Sequence, residues 1–119
     1  MKFAQRWAQK NKAKAIITGE SVGQVASQTL ENIGVVEAAT TLPVLRPLAG
    51  MHKKDIIKKS IEIGTHDISV LPHEDTCTVF MPKRPQTKAR LSSILKAEEM
   101  YDSEKLLTNM LDGIEVKNI

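Results

Sequence analysis

The chain has few aromatic side chains and little cysteine. Phe, Trp and Tyr together make up 3% of its 119 residues, so aliphatic side chains must fill most of any core. Its single cysteine, Cys77, excludes an internal disulfide framework and predicts a reducing, cytoplasmic setting. No apolar run is long enough to cross a bilayer, and the basic residues 1–15 lack the apolar stretch of a signal peptide, so no membrane partner is expected. Nothing matches a Walker A loop, a dinucleotide fingerprint or a Ser-His-Asp order. His52, His66, His73 and Cys77 show no zinc spacing, and Glu74-Asp75 has no further acids nearby, so no protein-built metal site is expected. There is no internal repeat and no low-complexity tract, which leaves a single domain with a modest core.

Charge is the first positive feature. Seventeen basic against fourteen acidic residues give a formal charge of +3, which alone reads as an ordinary solvated surface. Two places are denser: Lys2, Arg6, Lys10, Lys12 and Lys14 precede the first acid, and Lys83, Arg84, Lys88 and Arg90 form a second cluster. Such clusters suit phosphates, but neither alternates with aromatics as a base-stacking platform would.

Hydrophobic spacing orders the chain. Residues 1–12 carry Phe3, Ala4, Trp7 and Ala8 on one face of a predicted helix that starts without a cap, as though cut from a longer element. Residues 15–18 are short, apolar and partly β-branched, the mark of a buried strand. Val22, Val25, Ala26, Thr29, Leu30 and Ile33 then recur at helical spacing; Ser21 followed by Gln24 fits a capping box, and Gly34 falls where a C′ glycine would. Residues 35–41 are ambiguous. Residues 42–48 are extended, because Pro43 and Pro47 disfavour helix at their predecessors. A helix is predicted over 53–63 and ended by Gly64, a short strand over 67–71, a loop over 72–88, helices over 89–100 and 103–111, and a tail from 114. This alternation predicts an α/β domain with a parallel sheet, although two or three strands are few for a sheet standing alone.

The turn Gly19-Glu20-Ser21 sits where open parallel sheets bind ligands, between a strand end and a helix start. Gly19 permits a positive φ or close ligand approach. On local pattern alone, an ordinary capped helix explains the turn at least as well. Gln28 faces either a ligand or solvent. Cys77 is either a buried small hydrophobe or a nucleophile, with His73 lowering its pKa and Glu74 and Asp75 raising it. Lys53 opens a helix whose dipole disfavours it, which suits a phosphate-facing role beside the default of an exposed lysine. Arg46, on a proline-stiffened segment, suits either a fixed anion contact or a weak surface ion pair.

Three longer phrases, in order, resemble one family. They are Gly19-Glu20-Ser21-Val22-Gly23-Gln24-Val25-Ala26-Ser27-Gln28-Thr29; Leu42-Pro43-Val44-Leu45-Arg46-Pro47-Leu48 with Gly50-Met51 and Lys53; and Leu71-Pro72-His73-Glu74-Asp75-Thr76-Cys77-Thr78-Val79-Phe80 with Pro82-Lys83. The chain is similar to the ThiI family of tRNA 4-thiouridine synthases, tRNA sulfurtransferases also linked to thiamine biosynthesis. The resemblance implies half of a PP-loop (adenine nucleotide alpha hydrolase-like) doubly wound parallel sheet with C-terminal helices. Residues 1–119 would form the C-terminal portion of a PP-loop ATP pyrophosphatase domain. It implies ATP, with Mg2+, bound at Gly19 and Gln28, with Glu20, Ser21 and Gln24 shaping the pocket, and catalytic roles for Lys53 and Cys77.

In the family, ATP activates the C4 oxygen of a tRNA uridine and sulfur from a protein persulfide replaces it. A cysteine desulfurase supplies that sulfur, so tRNA and a desulfurase are the implied partners. The SGGxDS-type phosphate cradle, the THUMP region and a rhodanese domain are not in these residues, and Thr76 stands where some relatives have a second cysteine. The isolated chain is therefore expected to be inactive and to need the N-terminal half of its domain. An unpaired sheet edge would make it oligomerise, swap elements or be marginally stable. The alternative is a non-catalytic α/β binding or regulatory module built on the same fold.

Overall fold

A computed structural model describes residues 1–25, 27–73 and 86–117. The expected class holds: helices surround a small parallel sheet. The first helix, α1 (Lys2–Lys10), buries Ala8 on the face that also carries Phe3, Ala4 and Trp7. It stops in a left-handed turn at Lys12 (φ 57°). There Ala13 N–H reaches the Ala8 carbonyl at 2.8 Å and Lys12 N–H reaches that of Gln9 at 3.1 Å, satisfying carbonyls the helix leaves open. The chain then enters β1 (Ile16–Ile17), the strand the β-branched run predicts but not the buried one, since the side chain of Ile17 stands on the open face of the small sheet.

Strand β2 (Val44–Leu45) lies parallel to β1, with Ile16 opposite Val44 and Ile17 opposite Leu45. Ile16 N–H donates to the Pro43 carbonyl at 2.9 Å, and Thr18 N–H to that of Leu45 at 3.0 Å. Proline can only accept in such a ladder, so Pro43 fits at the strand's start. The crossover between the two strands contains α2 (Leu30–Glu37). Then come α3 (Lys53–Glu62), α4 (His66–Ser69), α5 (Leu91–Glu98) and α6 (Ser103–Asp112). As expected, Gly64 ends α3: it takes φ +73°, with Thr65 N–H bonded to the Ser60 carbonyl at 2.9 Å.

Three expectations are corrected. No helix starts at Ser21; residues 22–25 and 27 form turns and bends, and α2 begins after Thr29, whose hydroxyl accepts from Asn32 N–H at 3.2 Å. Gly23, at φ +73°, imposes a backbone turn that a helix interior cannot contain. Gly34 lies within α2, which runs through part of the ambiguous 35–41 stretch and is capped at Ala38. The predicted strand over 67–71 is instead the short helix α4 and its end.

Helix α1 packs against α6 and touches β1. The best-buried apolar residues are Ala8, Ile33 and Leu107, and Ser21 is the one polar residue of the described set buried with them. The outer side of the sheet is open, with Ile17 70% and Leu45 52% exposed. No helix among the described residues is long and apolar enough to cross a membrane.

Candidate nucleotide-binding turn

The chain leaves β1 at Thr18 and β2 at Arg46, so the C-terminal ends of both strands converge on one place. In open parallel sheets that is where ligands bind. Three charged side chains meet there. Arg46 Nε donates to Glu20 Oε2 at 2.8 Å, and its Nη1 donates to Glu37 Oε2 at 2.9 Å. Thr18 Oγ1 donates to the same Glu20 oxygen at 2.8 Å. The Arg46 side chain is only 13% exposed. Burial pulls its pKa down most strongly of any single effect. The hydrogen bond to Glu20, the charge of Glu37 and the charge of Glu20 together outweigh it, so the guanidinium is held above its ordinary value. Arg46 Nη2 is buried and has no partner among the described residues. Arg46 is thus neither a free anion contact nor a weak surface pair: two carboxylates of the chain itself take its charge.

The loop 19–28 is tied down on the other side. Ser21, 4% exposed, donates from Oγ to the Met51 carbonyl at 2.8 Å. Val22 N–H donates to the Ala49 carbonyl at 3.0 Å, so the loop stays registered against the segment leaving β2. The expected capping box is replaced by a different closure. Ser21 N–H reaches Gln28 Oε1 at 3.3 Å, and Gly23 N–H reaches the Gln28 carbonyl at 2.9 Å. Gln28 therefore makes the reciprocal bond that Gln24 would have made, from across the loop. Gln24 is exposed.

The family resemblance groups Gly19, Glu20, Ser21 and Gln28, and the fold brings Ser21 and Gln28 together in a closed turn. Gly19 is exposed, with open space where a side chain would stand, at an ordinary backbone φ. Its amide goes to no backbone carbonyl of the described residues. With Oε1 of Gln28 held by Ser21, the Nε2 end of that amide is the donor left for a ligand edge. These features fit a nucleotide lying against the backbone at Gly19. Lys53 is the first residue of α3, two positions beyond the carbonyl that holds Ser21, and it is exposed. Cys77 lies outside the described residues, as do Lys83 and Arg84. Among the described residues no group of three or more His, Cys, Asp or Glu is arranged to hold a metal.

Two polar residues escaped the sequence reading. Asn32 Nδ2 donates to the Gln86 carbonyl at 2.8 Å and to that of Ser27 at 3.0 Å, while its Oδ1 accepts from Ala89 N–H at 2.9 Å. Thr29 Oγ1 donates to the Thr87 carbonyl at 2.8 Å. Together they fasten residues 86–89 to the start of α2. The signal was available in Thr29, a strong N-cap type, but the helical periodicity running through it from Val22 concealed the boundary.

The family described as Thiamine biosynthesis protein (ThiI) matches residues 1–103, and the chain belongs to that family. A probable tRNA sulfurtransferase of Halothermothrix orenii is 52% identical over 120 residues, covering 99% of this chain and 30% of the relative. One from Caldanaerobacter subterraneus subsp. tengcongensis is 51% identical over 114 residues, covering 96% of this chain and 30% of the relative. A crystal structure of a 4-thiouridine synthetase–RNA complex with bound ATP superposes with a TM-score of 0.81 at 44% identity, covering 91% of this chain and 28% of that one. The chain thus spans about 30% of the length of the relatives it matches.

Proposed function

We propose that residues 1–119 are the C-terminal portion of the PP-loop ATP pyrophosphatase domain of a tRNA sulfurtransferase that makes 4-thiouridine. The observation that carries this reading is the likeness at 44% identity to a 4-thiouridine synthetase solved with RNA and ATP. The geometry is consistent with it. In this reading Gly19 and Gln28 meet ATP, and Glu20 and Ser21 hold the turn in shape. Gln24 lines its exposed rim, and Lys53 approaches the phosphates from the start of α3. Cys77 takes part in sulfur transfer, either carrying the persulfide or resolving it. Mg2+ accompanies the nucleotide's phosphates. The whole enzyme activates the uridine C4 oxygen with ATP and replaces it with sulfur delivered by a cysteine desulfurase in the cytoplasm. The family name supports a second role in thiazole formation for thiamine.

The 119 residues contain no SGGxDS-type cradle, so this stretch by itself is proposed to be inactive and to depend on the remainder of its domain. The test is tRNA thiolation with ATP, cysteine and a desulfurase. The full-length protein should form 4-thiouridine, its Cys77→Ser variant should form essentially none, and the 119-residue chain should form none. Normal thiolation by Cys77→Ser would remove Cys77 from the mechanism. Thiolation by the short chain would end the part-domain reading. A full-length protein that binds ATP without thiolating any tRNA would favour the non-catalytic module.

A further inference from the structure

The segment 83–90 carries four basic residues and no acidic one, and the proposed chemistry leaves it without a task. Its described part, 86–90, is held to a fixed path by four bonds: Gln86 and Thr87 carbonyls to Asn32 and Thr29, Ala89 N–H to Asn32, and Lys88 carbonyl to Gln86 Nε2 at 3.2 Å. Ala89 faces inward, lining a cavity with Asn32, Val35, Val36 and Ile94. Lys88 and Arg90 on either side of it are exposed. Neither makes an ion pair with a described residue. Arg90 is also the N-cap of α5, whose first turn has no acidic residue to offset it. Two cations without an acidic partner among the described residues, on a backbone pinned from both sides, have little backbone entropy left to lose when they meet an anion.

Their position identifies the anion. The Asn32 amide that holds Gln86 also holds the Ser27 carbonyl, so Lys88 and Arg90 stand beside the end of the loop 19–28 that carries Gln28. We infer that Lys88 and Arg90 form a docking rim for the phosphodiester backbone of the substrate RNA next to the nucleotide turn. This rests on the proposed sulfurtransferase reading: a uridine brought to the turn carries phosphates on both flanks, and those phosphates must pass its rim. Phosphate contacts position a strand without reading its sequence, so the rim should be indifferent to base identity. No aromatic side chain falls within 83–90, which fits contact with phosphates rather than stacked bases.

The experiment titrates the full-length protein with a fluorescein-labelled, unmodified tRNA transcript at several salt concentrations, alongside a thiolation assay. Lys88→Ala with Arg90→Ala should weaken binding roughly tenfold and lower the slope of log affinity against log salt by about 1.5, as expected for two lost phosphate contacts. A transcript of scrambled sequence should lose affinity to the same degree. The charge-keeping pair Lys88→Arg with Arg90→Lys should stay within about twofold of the parent, separating charge from backbone disturbance. Unchanged affinity and slope in the alanine pair, with thiolation intact in the parent, would overturn this inference alone. A parent that bound no tRNA would overturn it together with the sulfurtransferase reading. Unchanged RNA affinity with impaired sulfur delivery from the desulfurase would assign the pair to a protein contact instead.

Discussion

Two regions of the molecule use the same charged residue types to opposite purpose. At the strand ends, Arg46, its side chain 13% exposed, bridges Glu20 and Glu37 and shares its first partner with Thr18. Across the helical face, Lys2 meets the part-buried Glu98 at 2.7 Å, whereas Arg6 meets Glu104 at the surface, where Glu104 is 70% exposed. Exposed pairs lose most of their attraction to solvent and to side-chain entropy. Arg46 and Glu20, 13% and 21% exposed, depend on each other, because either one left alone faces the cost of its own desolvation, while Glu37, 54% exposed, adds a pair that water can replace. The turn after β1 is therefore held by groups that constrain one another, whereas the helices around it are held mainly by apolar packing at Ala8 and Leu107.

The sharpest way to break that comparison is Arg46→Met. Removing the cation strands Glu20, which is only 21% exposed, and the protein should lose about 2 kcal/mol of stability, read as a lower urea midpoint. Arg46→Lys should lie between, since an ammonium cannot span two carboxylates as the guanidinium does. Adding Glu20→Gln and Glu37→Gln to Arg46→Met should recover most of the loss, because the penalty comes from unpaired charge. An unchanged midpoint in Arg46→Met would mean that the buried cluster is worth no more than the surface pairs.

Asn32→Ala is the next largest. It removes three hydrogen bonds and leaves residues 86–89 tied to the start of α2 through Thr29 alone, at a cost of about 1–2 kcal/mol. Amide hydrogen exchange should show faster exchange at Ala89 while Ser21 and Val22, held by Gln28 and Ala49, keep their protection. Equal loosening of both would show that the two tethers are a single unit.

The contrast between regions also explains what the sequence made legible. Strand β1, helices α1, α3, α5 and α6 and the extended stretch holding β2 follow from apolar periodicity, proline and the glycine at position 64, all of which act locally. The α/β class follows from their order. The turn was harder, because its shape depends on bonds between distant residues: Ser21 with Met51, Glu20 with Arg46, Asn32 with Ala89. Val22 and Val25 happen to continue the spacing of Leu30 and Ile33, so loop and helix merged into one apparent helix. Gly23 was the local sign against it. The four-residue α4 is too short for periodicity to register, and its Ile68-Ser69-Val70 reads as strand by β-branching alone. The family signature named Gly19, Glu20, Ser21 and Gln28 as companions, and their proximity follows from a fold that local spacing did not describe.

The smallest expected effect lies on the helical face and comes from acid. The hydrogen bond from Arg6, then the charges of Arg6 and Lys2, hold Glu104 below the ordinary carboxylate range. A carboxylate whose pKa falls on folding stabilises the fold above its unfolded pKa, and that contribution disappears as pH falls through the lowered folded value. Glu104→Gln should therefore be slightly less stable than the parent near neutral pH, and the two should converge once the pH is below the lowered value. High salt should shrink the neutral-pH difference by screening the exposed pair, while leaving the cost of Arg46→Met nearly intact. Measuring both variants in one salt series distinguishes the regions directly. If salt moved Arg46→Met as much as Glu104→Gln, the charges at the strand ends would be as exposed to solvent as those on the helices, and they would not be what fixes the turn after β1.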